Sequence, residues 1–263
     1  MDALSADDLA RETHRFFSGS HHLVIARRHY LDGAETDDQL ASSGSLTPEE
    51  HEQYVALTIR AMRHLYDVNP AVVLVAAFQN WRRPAGASFD HLHKQLVGVD
   101  EYGTDLEAQL ARLEREPNLY ERWGPRHAEE HGLVIARNQH AIALAGIGHR
   151  YPAVEVWSTV PGRPWELGAN VVRDFSDLLH AIHAATGADV PSNEEWHHQP
   201  PGVGYDSPMP GGAEVADRHA RRLRGRHPDL PQHPRPLDGA GPGARVVAPV
   251  HDAGRLGEVW LVD

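Results

Sequence analysis

Two histidines and a glutamine occupy alternate positions in the run HLHKQLVGV, as His91, His93 and Gln95. In an extended strand, side chains two residues apart lie on the same face, so these three share a face and Lys94 lies on the other. A neutral imidazole is a good nucleophile near pH 7, since its unperturbed pKa is about 6.5. Attack of such a nitrogen on phosphorus gives a covalent phospho-histidine and divides one group transfer into two easier steps. The spacing therefore predicts a nucleophilic site on a rigid strand.

The residues around this run have the chemistry that binds phosphate. The Gln95 amide can donate to a phosphoryl oxygen as charge builds there, and one such donor is typically worth about 10² to 10³ in rate. Backbone N–H groups near Gly86 and Ser88 can cradle a neighbouring phosphate, because glycine permits close approach of the backbone. Arg82 and Arg83 are placed to balance phosphate charge. A chance HxH pair is the alternative in a chain with 20 histidines.

The segments before the run predict the structure that positions it. The apolar residues 71–78 are bounded, β-branched and typical of a buried strand. A turn-rich segment, 80–90, contains Pro84 and Gly86 and leads into a second extended run at 91–99. We therefore expect two strands, with the candidate site at the start of the second.

A longer pattern, N-x(5)-G-A-S-x-x-H-x-H-x-Q, begins at Asn80 and ends at Gln95. It resembles the active-site segment of galactose-1-phosphate uridylyltransferase, in the nucleotidyltransferase branch of the histidine triad (HIT) superfamily, to which ADP-glucose phosphorylase is related. The resemblance implies that His93 is the nucleophile, that Gln95 binds the transferred phosphoryl group and that Ser88 binds the next phosphate. It places Phe78 and Asn80 on the nucleoside side.

The resemblance also implies an activity. A nucleoside monophosphate would move from a nucleotide sugar to a sugar 1-phosphate through a covalent nucleotidyl-histidine. Histidine triad hydrolases carry a third histidine where this chain has Gln95, which favours transfer over hydrolysis. The alternatives are a phosphorylase of ADP-sugars or dinucleoside polyphosphates, a truncated inactive relative that only binds nucleotide, and a metal-binding histidine-cluster protein.

A metal site is the second implication to weigh. In the resembled family the first histidine of the pair, here His91, can be a structural metal ligand, and His29 matches the histidine that completes the site. The family often adds a CxxC pair, whereas this chain contains no cysteine. Two histidines supply at most half of a tetrahedral zinc site, so zinc stays an open alternative and the chemistry requires no cofactor. For His29 the alternative is a surface histidine at a strand end.

Composition excludes several classes of protein. The chain of 263 residues is 41% apolar and 24% charged, which is ordinary for a soluble globular protein. Its net charge of −12 argues against a general nucleic-acid binder. It has neither an apolar run of about eighteen residues nor a basic and apolar N-terminus, so we expect no membrane span, no secretory signal and a cytoplasmic location. The expected partners are a nucleotide sugar and a sugar phosphate, with a homodimer as an open alternative.

The order of elements predicts an α+β fold. Thr47 and Glu50 form a capping box for a helix that runs to about Tyr66, on which His51 and His64 are expected to be solvated. Later strand-like runs and a helix over 167–186 repeat the order of the first half. We therefore expect tandem histidine-triad-like halves, antiparallel sheets with packed helices and an incomplete second half. The predicted units are a first half carrying the active-site strand (1–116), a connection (117–131), a second half (132–210) and a tail (211–263).

Two segments near the end call for separate interpretation. Residues 192–200 contain Trp196 and His197 before a proline, and we expect a structural or rim role for His197. Residues 211–263 contain no Ser, Thr, Asn, Lys, Ile, Phe or Tyr and are dense in Arg, Pro, Gly and Ala. That amino-acid composition is what GC-rich coding DNA gives when it is read in the wrong frame, so we expect a disordered tail of out-of-frame origin. A natural Pro/Arg-rich tail is the alternative.

Overall fold

The computed structural model describes residues 20–149, 151–204, 212–217 and 260–261. Within these ranges the strands form one nine-stranded antiparallel sheet in the order β1-β3-β2-β7-β8-β6-β5-β4-β9. The strands are β1 (Ser20–Ile25), β2 (Leu74–Trp81), β3 (His93–Val99), β4 (Val134–Arg137), β5 (Ala141–Ala145), β6 (Ala153–Ser158), β7 (Ser192–His197), β8 (Gly212–Asp217) and β9 (Trp260–Leu261). The helices are α1 (Pro48–Val68), α2 (Gly103–Arg115), α3 (Leu119–Trp123), α4 (Pro125–Glu130) and α5 (Ala169–Thr186).

The predicted start of α1 is confirmed. The Thr47 hydroxyl accepts a hydrogen bond from the Glu50 N–H at 3.2 Å, and the Glu50 carboxylate accepts one from the Thr47 N–H at 2.9 Å. These contacts satisfy two N–H groups that the helix itself leaves unpaired. His64 is exposed as expected, but the prediction for His51 is wrong, because its side chain is 0% exposed. His51 faces α5, where its Nδ1 lies 2.8 Å from the Ser176 hydroxyl.

One hydrophobic core joins both halves of the chain. Helices α1 and α5 pack against each other and against the same side of the sheet. The core contains residues such as Val55 and Met62 of α1, Leu178 of α5, Leu96 of β3 and Val156 of β6. The predicted α+β class, with antiparallel strands and packed helices, is confirmed, and the strands of both halves form a single continuous sheet. The boundaries of the two halves stay a prediction.

Two segments differ from the expected secondary structure. The connection at 117–131 contains the short helices α3 and α4. The polar segment 192–200 contains a central strand, β7, which pairs with β2 on one side and β8 on the other. The polar composition gives no sign of this strand, because Ser192 and Glu194 are both buried, and Glu194 is paired with Lys94 and His183 on the core side.

The tail is described only in part. Residues Gly212–Asp217, predicted to be disordered, form β8 between β6 and β7, and Trp260–Leu261 form β9 beside β4. The disorder prediction is wrong for these strands, because β8 pairs with backbone groups of both neighbouring strands. The rest of the tail lies outside the described residues, and the out-of-frame origin stays a prediction. Among the described residues, no helix is both long and apolar enough to cross a membrane.

The turn before α1 packs directly on the backbone of α5. A Cβ atom added at Gly44 would lie 2.4 Å from the backbone nitrogen of Ala184, far inside van der Waals contact. Only glycine therefore allows the turn at Ser43–Ser45 to approach the helix this closely.

Replacement of Gly44 by alanine should lower the free energy of unfolding by about 1 to 3 kcal/mol, because the helix or the turn must move. Urea denaturation measures the change. Gly204→Ala is the control, since a Cβ there would meet no described atom within 4 Å. Equal stability of the two variants would contradict the close packing.

The buried His198 should make the fold sensitive to acid. Burial and the neighbouring His197 lower the pKa of His198 from 6.5 to about 3. The unfolded chain therefore binds a proton at this residue near pH 6.5, whereas the folded chain resists protonation until about pH 3. Between these values the free energy of unfolding should fall as the pH falls. His198→Gln should show a shallower decline in pH-dependent urea denaturation than the parent, while His64→Gln should retain the parental slope. A slope unchanged by His198→Gln would contradict this assignment.

Candidate functional site

The predicted site residues lie on the face of the sheet that is turned away from α1 and α5. On β3 the alternation puts Leu92, Lys94 and Leu96 in the buried interior, with His93 and Gln95 on the opposite face. Phe78 of β2 lies opposite Gln95 in the register. Asn80 of β2, two residues further, lies level with the start of β3. The sheet thus brings His93, Gln95, Phe78 and Asn80 to one surface, as the sequence predicts.

The His93 ring is fixed in orientation. Its Nδ1 lies 2.7 Å from the backbone oxygen of His91. A carbonyl oxygen can only accept, so Nδ1 carries the proton, and in the neutral ring the Nε2 atom keeps its lone pair. Nε2 is buried and has no hydrogen-bond partner within the described part of the chain. The ring is 2% exposed, and Phe89 stacks on it with the centroids 3.9 Å apart and 15° between the planes. The imidazole therefore presents one oriented, unoccupied nitrogen beneath an aromatic ring.

The loop between β2 and β3 is held by residues of the second half. Arg82 has a backbone φ of +65°, a region that non-glycine residues rarely adopt. Its guanidinium donates to the backbone oxygen of Ala188 at 2.9 Å and to the carboxylate of Asp189 at 2.6 Å. These contacts offset the cost of the strained backbone and anchor the loop to the turn that follows α5. Arg82 is thus engaged within the protein, and its predicted phosphate contact stays a prediction.

The rest of the loop is more open. Arg83 is exposed, with its Nε 3.8 Å from Asp90, and Ser88 and Gly86 are also exposed. Gly86 has a φ of +96°, which glycine adopts without strain. The Asn193 amide of β7 donates to the backbone oxygen of Ala85 at 2.9 Å. The tip of the loop is therefore accessible while its base is fixed, and the phosphate-binding roles of its residues stay predictions.

The two predicted metal ligands come together. The rings of His29 and His91 are 4.2 Å apart, centroid to centroid, and His91 Nε2 donates to the backbone oxygen of Ala26 at 2.7 Å. Across the ranges that the structure describes, no group of three or more His, Cys, Asp or Glu side chains could hold a metal ion. The described residues therefore do not fit a closed four-ligand zinc site.

A cleft of about 980 Å³ adjoins the site on the open face. Phe78, which lies opposite Gln95, lines it, together with Tyr102 before α2, Trp157 of β6 and His197 of β7. Glu155 in the cleft accepts hydrogen bonds from the Trp157 indole and from His149, both at 2.7 Å. The volume suits a ligand of the size of a nucleotide sugar, since small-molecule pockets span about 300 to 1,000 Å³. The rim position expected for His197 agrees with its exposed side chain.

Sequence reasoning missed a polar network beneath the site. Lys94 and Glu194 are both 0% exposed and form an ion pair at 2.5 Å. Gln79 of β2 lies between them and accepts from Lys94 at 3.2 Å, while His183 of α5 lies 2.7 Å from the other Glu194 oxygen. Burial lowers the pKa of Lys94. Burial also opposes ionisation of Glu194, but Lys94 and His183 outweigh it and hold the pKa of Glu194 below its usual range. Lys94 was the available signal for this network, since alternation places a charged residue on the face opposite His93 and Gln95. The sequence does not reveal which carboxylate pairs with Lys94.

Comparison with known proteins shows the family of the chain. The family described as "Domain of unknown function (DUF4921)" matches residues 1–220. The chain belongs to the DUF4921 family. No functionally curated protein is a significant match to this DUF4921 sequence.

Solved structures share the fold of this DUF4921 protein at low sequence identity. A uridylyltransferase mutant has a TM-score of 0.64 and 16% identity, with 89% of this chain and 79% of that chain covered. An ADP-glucose phosphorylase from Arabidopsis thaliana with bound ADP-glucose has a TM-score of 0.63 and 16% identity, covering 76% and 64%. A DUF4931 family protein from Bacillus cereus has a TM-score of 0.55 and 12% identity, covering 88% of both chains. The predicted likeness to uridylyltransferases is thereby confirmed as a likeness of fold.

Phe89 should shield the nucleophilic nitrogen of His93. Replacing Phe89 by alanine removes the stacked ring and should speed acylation of His93 by diethyl pyrocarbonate several-fold, as followed by mass spectrometry of the peptide. Leu57→Ala, which removes another exposed apolar side chain, should leave the rate unchanged. The same acylation rate with and without the Phe89 ring would show that the ring does not cover Nε2.

Proposed function

We propose that this DUF4921 protein transfers a nucleoside monophosphate from a nucleotide sugar to a sugar 1-phosphate through a covalent nucleotidyl-His93. The observation that carries the proposal is the orientation and hydrogen bonding of the His93 ring. Its Nδ1–H is held by a backbone oxygen at 2.7 Å, and its Nε2 has no partner among the described residues. His51 Nε2 is also buried without a partner, but it lies in the helix-side core, whereas His93 shares its strand face with Gln95, which supports reaction of its free nitrogen with an electrophile.

The transfer consists of two displacements at phosphorus. In the first, the Nε2 lone pair forms a bond to the α-phosphorus of the nucleotide sugar. The bond from this phosphorus to the bridging oxygen breaks, and sugar 1-phosphate leaves with the electron pair. In the second, a phosphate oxygen of the acceptor attacks the same phosphorus, and the N–P bond breaks and restores the imidazole. The nucleotide sugar formed in the second displacement differs from the one consumed in the first only in the sugar that it carries.

Two groups of the chain stabilise these steps. The ring acquires positive charge when Nε2 bonds to phosphorus, and the hydrogen bond from Nδ1–H to the His91 oxygen becomes stronger as that charge develops. The Gln95 side chain lies on the same face of β3 and can donate to a non-bridging phosphoryl oxygen. Gln95 has no ionisable proton to protonate a leaving group or activate a water molecule, which supports transfer between phosphates over hydrolysis.

A second candidate keeps the first step and changes the acceptor to inorganic phosphate. The fold shared with the ADP-glucose phosphorylase, whose structure contains ADP-glucose, favours this candidate. UDP- and ADP-sugars, each offered with hexose 1-phosphates or with inorganic phosphate, separate the two. Faster turnover with inorganic phosphate would replace the first proposal by the second while retaining the role of His93.

His93→Gln should abolish covalent labelling by a nucleotide sugar that carries ³²P at the α-position, because glutamine lacks the nucleophilic ring nitrogen. Denaturing electrophoresis of the quenched protein measures the label. His64→Gln, at an exposed histidine of α1, is the control and should label like the parent. Undiminished labelling of the His93 variant would refute the role of this residue.

A further inference from the structure

The buried network described above forms one row across three adjacent strands. Glu194 of β7 lies directly opposite Gln79 of β2 in the register. The β2–β3 register, continued one residue past Phe78 and Gln95, places Lys94 beside Gln79. The lysine therefore extends beneath β2 to reach the carboxylate of β7, two strands away. The row connects a strand of the first half to a strand of the second.

This row lies between two rows of the candidate site on the opposite face. Lys94 stands between His93 and Gln95 in the chain, and Gln79 stands between Phe78 and Asn80. The network is thus attached, through one peptide unit on either side, to the residues that the proposed transfer uses. A displacement of Lys94 along the sheet must displace His93 and Gln95 with it.

Stability alone does not explain the ion pair. Removing two charges from water is costly, and replacement of a buried ion pair by apolar residues of similar volume is often neutral or stabilising. Both side chains are 0% exposed here, and the Lys94 ammonium lies beside the rings of Tyr54 and Trp196. A buried polar group can instead specify one alignment among alternatives of similar energy.

Strand β3 has an alternative alignment of similar apolar pattern. Leu92 and Leu96 face the helices, while Val97 and Val99 lie on the open side. A shift of β3 by one residue would exchange the two faces, and apolar side chains would face the helices in either alignment. The same shift would bury Gln95 and turn Lys94 outward. The apolar pattern of β3 therefore does not decide its alignment. The pairing of Lys94 with Glu194 and the close packing of Gly98 on Val72 both oppose the shift.

We propose that the Lys94–Glu194 ion pair, with Gln79 between its members, fixes the register of β3 and so positions His93 and Gln95 in the site. Lys94 and Glu194 are positioning residues that do not touch the substrate. The role of the positioned residues rests on the proposed function, whereas the alignment itself can be measured without substrate.

The absence of cysteine from the sequence makes the alignment measurable. Ala76 of β2 and Val97 of β3 are opposite each other on the open face, outside the network. Directly paired strand residues lie within disulfide range, since bridged Cα atoms are about 4.4 to 6.8 Å apart. Ala76→Cys with Val97→Cys should therefore form a disulfide rapidly under mild oxidation, as measured by the mass or gel mobility of the alkylated protein.

Lys94→Met with Glu194→Gln removes the charges and leaves an amide oxygen near His183 and Trp196. In this background the rate of disulfide formation should fall several-fold. In the protein without the added cysteines, the same two substitutions should lower the single-turnover rate of His93 labelling by about 10²-fold, which is the effect of a misplaced catalytic group. The KM for the nucleotide sugar should change little. Arg63→Met with Asp67→Asn, which removes an exposed ion pair of α1, is the matched control and should change neither rate.

An unchanged disulfide rate in the Lys94/Glu194 variant would overturn the inference. If the double variant does not fold, Lys94→Met alone removes the lysine and leaves Glu194 bonded to His183 and Trp196, and a parental disulfide rate there would overturn the inference equally. Absence of labelling in the parent protein would instead contradict the proposed function, while the disulfide measurement would still test the register.

Discussion

The pairing of β2 with β7 is the constraint on which the candidate site depends. It joins the two halves in one sheet and brings the start of β7 against the loop that leads to His93. The contacts that hold this loop come from the second half of the chain. Asn193 binds the oxygen of Ala85, and the turn after α5 binds Arg82. The first half carries His93, and the second half holds the loop that leads to it.

The two faces of the sheet differ in packing and in the groups that they present. The helix side is packed, and its Glu194 carboxylate contacts both Lys94 and His183. The open side leaves the Nε2 atom of His93 without a partner in the described chain and adjoins a cleft of about 980 Å³. A hydrogen-bonded network beneath β3 is a physical means of holding His93 in place, because the network resists movement of the strand.

The sequence predicted the parts of this arrangement that depend on local pattern. Alternation along β3 correctly separated Gln95 from Lys94, and the capping box located the start of α1. The sequence did not predict features that depend on contacts with residues distant in the chain. The buried His51 has the Ser176 hydroxyl of α5 as a hydrogen-bond partner. The strand at 192–197 can lie in the centre of the sheet because its inward Glu194 is paired with Lys94 and His183. β8 was missed because its pairing with β6 and β7 is invisible in its own composition.

The stereochemical course at phosphorus tests the central claim most directly. A nucleotide sugar with a chiral phosphorothioate at the α-position would be converted with a sugar 1-phosphate acceptor, and the configuration of the product determined by ³¹P NMR. Two in-line displacements through His93 predict net retention of configuration, since each displacement inverts the phosphorus once. Net inversion would mean a single direct displacement and would contradict a covalent nucleotidyl-histidine.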